Sequence, residues 1–395
     1  MGTSSTDLNV HDFINPITSP DRREFVKLAV GGVLGASSLL SSARTASAIE
    51  YTNAPGIKFS SNDEPAMPTD DHLLFLTQIG AKYVNVDTTP DQRTLEWFMK
   101  IKKRYADAGI AVWTIGEVQI IPEIVLNLPG RDQKIEEYKQ YLRNLSKAGL
   151  YYTTYVHSGN GIWHSGRETI RGAEARAFDM ASPNIYGEWN GIKYRPPLSN
   201  GRVFTEKEIW DNYTYFIKEV APVAEEVGVR IGIHPEDPPV PMLAGVPRCI
   251  FTSFEGYKSA LEIANSPNVG IALCCGTWLE GGRTLTGKDP VEMIRYFGPE
   301  KIWQIHFRNI SAPLPHFVET FIDNGYYDMY KIAKALVEVN YDGNVMWDHT
   351  PKMVGGRYAE CAYGFAYMKA LFQAAQAEAQ AKDTGRACGT QLSVG

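Results

Sequence analysis

The sequence predicts an α/β protein, a single (β/α)₈ TIM barrel over residues 49–375. Three observations predict it: eight short β-rich runs, a helical stretch between one run and the next, and no glycine-rich phosphate turn after the first run. The runs are "GIKFSS" (56–61), "KYVNVD" (82–87), "AVWTIGE" (111–117), "YYTTYVHS" (151–158), "VRIGIHPE" (229–236), "VGIALCCGT" (269–277), "IWQIHFRN" (302–309) and "NVMWDHT" (344–350). Strict alternation of strand and helix argues for a parallel sheet, and eight units argue for closure. A doubly wound open sheet is the rival, and the absent G-x-G-x-x-G turn counts against it.

The helical stretches carry the matching signal. In "RDQKIEEYKQYLRNLSKAGL", Ile135, Tyr138, Leu142 and Leu145 recur at helical spacing and Gly149 stands where a C-terminal cap belongs. "TLEWFMKIKKRYADAG", "TEKEIWDNYTYFIKEVAPVAEEVG" and "DMYKIAKALVEVN" read the same way. Two pieces break the regularity. Residues 159–204 are too long and too rich in Gly, Asn and aromatics for a connector, and predict a lid-like insertion over the fourth strand. Residues 376–395 are of low complexity and predict a flexible tail.

Composition narrows the function classes. With 44% hydrophobic and 21% charged residues, the 395-residue chain can bury a large core. A net charge of −6 and the lack of a Lys/Arg stripe argue against nucleic acid as a partner. The amino terminus, "SPDRREFVKLAVGGVLGASSLLSSARTASA", places Arg22, Arg23, Phe25 and Lys27 before an apolar run and a small-residue Ala46-Ser47-Ala48 end. This order resembles a twin-arginine export signal spanning residues 1–48, cleaved after Ala48 or retained as an anchor. It implies the twin-arginine machinery as a partner and a periplasmic or secreted destination. Proteins that fold and load a cofactor before export use this route. Five cysteines, an odd number with no framework spacing, argue against a disulfide scaffold.

The last polar residues of the final four runs make a constellation: His234, Cys274, His306, and Asp348 followed by His349. Strand ends of a barrel converge on one face, where such folds place their chemistry. Singly, each has an ordinary reading: a hydrogen-bonded structural His, a small buried Cys, an Asp capping a turn. Together at one register they make a mixed-softness donor set for a divalent metal, with Zn(II), Fe(II) and Mn(II) all compatible.

In order along residues 56–372, "IIPEIVLNLPGRDQKIEEYKQYLRNLSKAGL", "HPEDPP", "LCCGT", "HFRN", "DMYKIAKAL" and "DHTP" resemble the motif series of mannonate dehydratases. Those enzymes are xylose-isomerase-like barrels that convert D-mannonate to 2-keto-3-deoxygluconate. The resemblance implies a hydro-lyase in which His234, Cys274, His306 and Asp348 hold Mn(II) or a similar ion. It also implies that His349 and Tyr363, in "CAYGFAYMKAL", are the acid/base pair. The chemistry suits these types. A cation stabilises the enediolate that forms when a weakly acidic C–H proton is removed beside a carboxylate, and side chains move the protons.

On the substrate side, Arg308 of "HFRN" offers a fork for a carboxylate or pairs with a neighbouring strand. Asn309 orients a hydroxyl or closes the turn, and Glu236 accepts hydroxyls, orients a metal-bound His or stays in a solvated turn. The fourth-strand region offers Trp163, His157, His164 and Arg167 where the family carries a Trp-Thr-Arg element. Further departures are "GIKFSSND" in place of an Arg-Trp opening, "ETFIDNG" without a later His, and "DHTP" in place of Asp-His-Gly-Arg. Retained metal chemistry with remodelled recognition predicts a sugar acid or related oxidised carbohydrate outside the cytoplasm. A sugar isomerase or epimerase and a non-catalytic sugar-binding protein are the alternatives. Related barrels form dimers or tetramers, which implies a homo-oligomer.

Overall fold

Each of the eight β-rich runs forms a strand. In the computed structural model, which describes residues 56–116, 120–189, 192–196 and 201–391, these are β1 (Lys58–Glu64), β2 (Tyr83–Val86), β3 (Ala111–Ile115), β4 (Tyr152–Val156), β5 (Arg230–His234), β6 (Val269–Cys274), β7 (Ile302–Phe307) and β8 (Asn344–Trp347). The segment read as an export signal lies outside the described residues. The strands pair in the order β3-β2-β1-β8-β7-β6-β5-β4, with every neighbour parallel. β6 and β7 are buried along their whole length, as expected of strands covered on one side by helices and on the other by the barrel interior.

The ladder stops between β3 and β4, and side chains close the ring there. Thr114 Oγ1 donates to the Tyr152 carbonyl at 3.3 Å, and the Trp113 and Tyr152 rings lie 5.5 Å apart. Tyr141 spans the seam from the covering helix, donating its hydroxyl to Ile115 O at 2.6 Å and lying 2.8 Å from Thr153 Oγ1.

The helices are α1 (Asp70–Gln78), α2 (Leu95–Ala106), α3 (Pro122–Val125), α4 (Arg131–Lys147), α5 (Glu206–Val227), α6 (Phe254–Ala264), α7 (Cys275–Thr286), α8 (Pro290–Lys301), α9 (Met329–Glu338) and α10 (Arg357–Gln391). Local chemistry fixes their starts: side chains of Thr69, Thr94, Thr205, Ser253, Asp289 and Asp328 accept first-turn N–H groups. On α4 the buried face includes Ile135, Tyr138, Leu142 and Leu145, the residues whose spacing predicts it.

The structure differs from the sequence expectation in two places. The Ala-, Gln- and Glu-rich segment beyond residue 376, expected to be a flexible tail, continues α10 to Gln391. These are good helix formers, and Glu378 is tied to Tyr330 and Lys334 of α9 at 2.8 Å each. The expected lid is a set of β-hairpins. Strands Ile162–His164, Tyr186–Trp189 and Ile192–Tyr194 form one antiparallel sheet. Gly166–Ile170 and Ala173–Asp179 form another together with His316–Val318, from the loop after β7.

Among the described residues no helix is long and apolar enough to cross a membrane. Cys249, Cys274, Cys275 and Cys361 are all free thiols.

Candidate metal centre and active site

β5, β6 and β7 end on His234, Cys274 and His306, all buried, and one donor atom from each lies within 4.8 Å of the others. The rings of His234 and His306 are 4.8 Å apart between centroids. His234 Nδ1 donates to the Pro235 carbonyl at 2.6 Å, which leaves Nε2 as the donor turned to the group. Asp348, just past the end of β8, stands at the rim, its Oδ2 3.6 Å from Cys274 Sγ and 3.8 Å from His306 Nδ1. Neighbouring Cys275 is buried in the first turn of α7, and burial raises its thiol well above the ordinary range, as befits packing.

Cys274 is built to be a thiolate. Burial opposes ionisation, but the Arg308 guanidinium 3.6 Å away, with help from His234 and His306, brings the thiol down to about 5. Cys274 is also the N-cap of α7, where Thr277 N–H donates to Sγ at 3.4 Å and the helix end favours negative charge. A soft anion beside two imidazoles and a carboxylate is a donor set suited to a divalent transition metal.

Around this group lies a buried charge network. Arg308 donates to Glu280 at 2.8 Å, Thr277 at 2.9 Å, Asp237 at 3.2 Å and also to Glu319, and its Nε is 3.5 Å from Asp348 Oδ2. Room for the guanidinium comes from Gly276, where an added Cβ would stand 2.0 Å from Arg308 Nε. Arg176, carried in by the hairpin strand Ala173–Asp179, reaches Glu319 at 2.7 Å and Asp237 at 3.0 Å. Burial alone would raise the Asp237, Glu319 and Asp348 carboxyls. The two arginines outweigh it for Asp237 and for Glu319, which falls to about 2, and His349 with Arg308 does so for Asp348. Glu280 goes the other way: burial and the Asp237 charge push it well up, against the pull of Arg308 and Arg176. Beyond the two ligand-side histidines, five acidic side chains, Asp237, Glu280, Glu319, Asp348 and Cys274, share three basic ones, Arg176, Arg308 and His349. The deficit of positive charge fits a bound cation.

His349 Nδ1 lies 2.8 Å from Glu319 Oε1 and Nε2 lies 3.6 Å from Asp348 Oδ1, with the side chain 38% exposed. Burial opposes its charge, but these two carboxylates raise it to about 9, so the ring is an imidazolium at neutral pH.

His234, His306, Asp348 and His349 line a cavity of about 570 Å³ at the barrel mouth, together with Asp237. Its opposite wall comes from the end of β1, including Asp63, and the connection after β2, including Thr88, Thr89, Gln92 and Arg93, and the insertion adds Ile162 and Trp189.

Several sequence expectations for substrate contacts need correction. Arg308 is 1% exposed and saturated by the charge network, so its fork serves the protein rather than a substrate. Asn309 spends its amide on the Ile322 and Tyr327 carbonyls and on Ile310 N–H, closing its turn. Glu236 is buried away from the cavity, where burial holds its acid up at about 8 despite Arg248. Trp163 is 1% exposed and its indole N–H donates to Asn160 O at 2.9 Å. The His157 ring is buried among Tyr155, Tyr213 and Phe251. Arg167 is exposed on a hairpin, and the arginine that the insertion sends inward is Arg176. Tyr363, expected to share proton transfer, does not line the cavity: its hydroxyl donates to Asp323, with its ring against Phe321. Sequence reasoning missed Arg176, Asp237, Thr277, Glu280 and Trp189. The Gly276 directly after Cys274 and Cys275 was the one signal pointing to a large buried side chain nearby.

Fold and site together define a xylose-isomerase-like (β/α)₈ barrel enzyme. The D-mannonate dehydratase (UxuA) family matches residues 83–181 and 188–382. A mannonate dehydratase of Thermotoga petrophila is 32% identical over 308 residues, covering 70% of this chain and 82% of that one. The crystal structure of mannonate dehydratase from Streptococcus suis serotype 2 superposes with a TM-score of 0.69 at 25% identity, over 82% of this chain and 96% of that one. A xylose isomerase domain protein from Planctomyces limnophilus shares the fold, with a TM-score of 0.53 at 14% identity over 80% of this chain and 97% of that one. The chain belongs to the mannonate dehydratase family of hydro-lyases.

Proposed function

We propose that the protein is a metal-dependent dehydratase of a mannonate-type sugar acid, exported by the twin-arginine route and working outside the cytoplasm. The observation that carries the reading is the meeting of His234, Cys274 and His306, with Asp348 and an imidazolium His349 beside them, at the floor of one cavity.

His234, Cys274 and His306 would hold the ion, Mn(II) by family precedent, with Asp348 completing the set. Such an ion supplies Lewis-acid stabilisation of the charge that develops on the substrate. The reaction gives up a proton from the carbon beside the carboxylate to water in the cavity and loses hydroxide from the next carbon; the enol left behind becomes a keto-deoxy acid, and the proton that meets the hydroxide is regained from solvent, so one water is released overall. Hydroxide leaves poorly unless it is protonated. His349 is the group placed for this: Glu319 fixes Nδ1 and leaves Nε2 to donate into the cavity. Arg176 and Arg308 keep Glu319 ionised and in position.

The test is metal analysis and turnover of protein lacking residues 1–48. His349→Ala is expected to lower kcat by at least 10²-fold, the scale of general acid catalysis, while metal content stays unchanged. Unimpaired turnover by that variant, or a product isomeric with the substrate, overturns the reading. Export is tested by fractionation: replacing Arg22 and Arg23 by Lys should strand the full-length protein in the cytoplasm.

A further inference from the structure

The cavity is larger than a six-carbon acid needs. Such a molecule has about thirteen non-hydrogen atoms and fills on the order of 200 Å³ at protein packing density, whereas the cavity holds about 570 Å³. Its donor residues are confined to one half, since His234, His306 and Asp348 come from β5, β7 and β8. The ladder order sets β1 and β2 across the ring from β5 and β6, so the other half is walled by loops that contribute none of these donors.

That second wall is constructed. Beyond Ser61 the β1/β2 pairing slips, and Asp63 adopts φ 50, a bulge geometry that re-aims side chains beside sites. Asp63 is held by Arg357 at 3.7 Å. Gln92 Oε1 accepts from Thr89 N–H at 3.1 Å, which fixes the turn after β2. The loop settles on the end of β3 because Gly116, at φ 63, has no side chain: a Cβ there would stand 2.7 Å from Thr88 Oγ1 and 3.3 Å from Arg93 Nε. With the Thr88 hydroxyl packed against Gly116, the wall includes Thr89, Gln92 and Arg93, residues of hydroxyl, amide and guanidinium type, and Trp189 adds an indole from the insertion. Hydrogen-bonding side chains with one aromatic surface suit a polyhydroxylated ring.

We infer that this outer half is a second sugar subsite, and that the substrate is a sugar acid bearing a glycosyl substituent. The inference rests on the dehydratase reading above, and the chemistry restricts it further. Dehydration consumes the hydrogen on C2 and the hydroxyl on C3, so the substituent sits at C4 or beyond.

The experiment compares binding of D-mannonate and 4-O-glucosyl-D-mannonate to Mn(II)-loaded protein by calorimetry, with turnover of each followed separately. The glycosylated acid is expected to bind at least tenfold more tightly, and Trp189→Ala should bring the two affinities together. Equal or weaker binding of the glycosylated acid by the unaltered protein overturns the second subsite, whatever the variant does. If neither acid is dehydrated, the dehydratase reading fails, and the binding comparison still decides the subsite.

Discussion

His157 and His349 lie one residue beyond strand ends or in the turn just after, yet their surroundings drive them to opposite charge states. His349 is flanked by Asp348 and Glu319 and is held as a cation. His157 is sealed among aromatic rings, with Tyr155 Oη 2.9 Å from Nδ1, and burial takes its pKa from the ordinary 6.5 down to about 3. Its neutral form is the folded form. The unfolded chain takes up a proton below pH 6.5 and the folded one does not until about pH 3, so this contribution to stability is complete above pH 6.5. It is lost as pH falls through that window. Between pH 6.5 and 4.5 the loss amounts to roughly 2–3 kcal/mol. Denaturant titrations of His157→Phe should show a flatter acid limb than those of the unaltered protein, and an unchanged limb would remove His157 from the account. The meeting of His234, Cys274, His306 and Asp348 at one rim was legible because each ends or follows a strand of recognisable pattern. The roles of Arg308, Asn309 and Glu236 were not, because what decides them is a partner tens of residues away.

Among the elements, the seam between β3 and β4 is where the barrel relies on side chains. Eight strands and the helix faces follow from periodicity and caps, which is why the fold was readable to within a few residues. The missing ladder was not readable, since strand pattern carries no information on which neighbours pair. Tyr141 of α4 bridges the gap through its hydroxyl. Tyr141→Phe leaves the packing in place and strands a buried acceptor, Ile115 O, and a buried donor, the Thr153 hydroxyl, so it should cost about 1–3 kcal/mol. Amide exchange should accelerate selectively along β3 and β4 rather than uniformly; a uniform change would mean that the seam is no weaker than the rest of the ring.

For the molecule as a whole, the candidate centre gathers more acidic than basic side chains at the mouth of a barrel, and its four candidate ligands come from the ends of four different strands. Binding of a divalent ion there would favour the folded chain by mass action, about 4 kcal/mol at a free concentration a thousand times its Kd. Chelation should lower Tm by several degrees, with Mn(II) restoring it. A melting curve indifferent to both would remove the ion from the folded state's ledger of interactions.

Arg176 gives this arrangement a broader meaning. The guanidinium that balances Asp237 and Glu319 is not borne by the barrel but by the hairpin excursion after β4. An excursion that adds no strand to the barrel is thus wired into the electrostatics of the cavity floor. Exchanging that excursion for another of equal length would leave Asp237 and Glu319 to share Arg308 alone, unless the graft brought an arginine to the same spot. The surface that covers the cavity and the charge balance beneath it are therefore coupled through one residue.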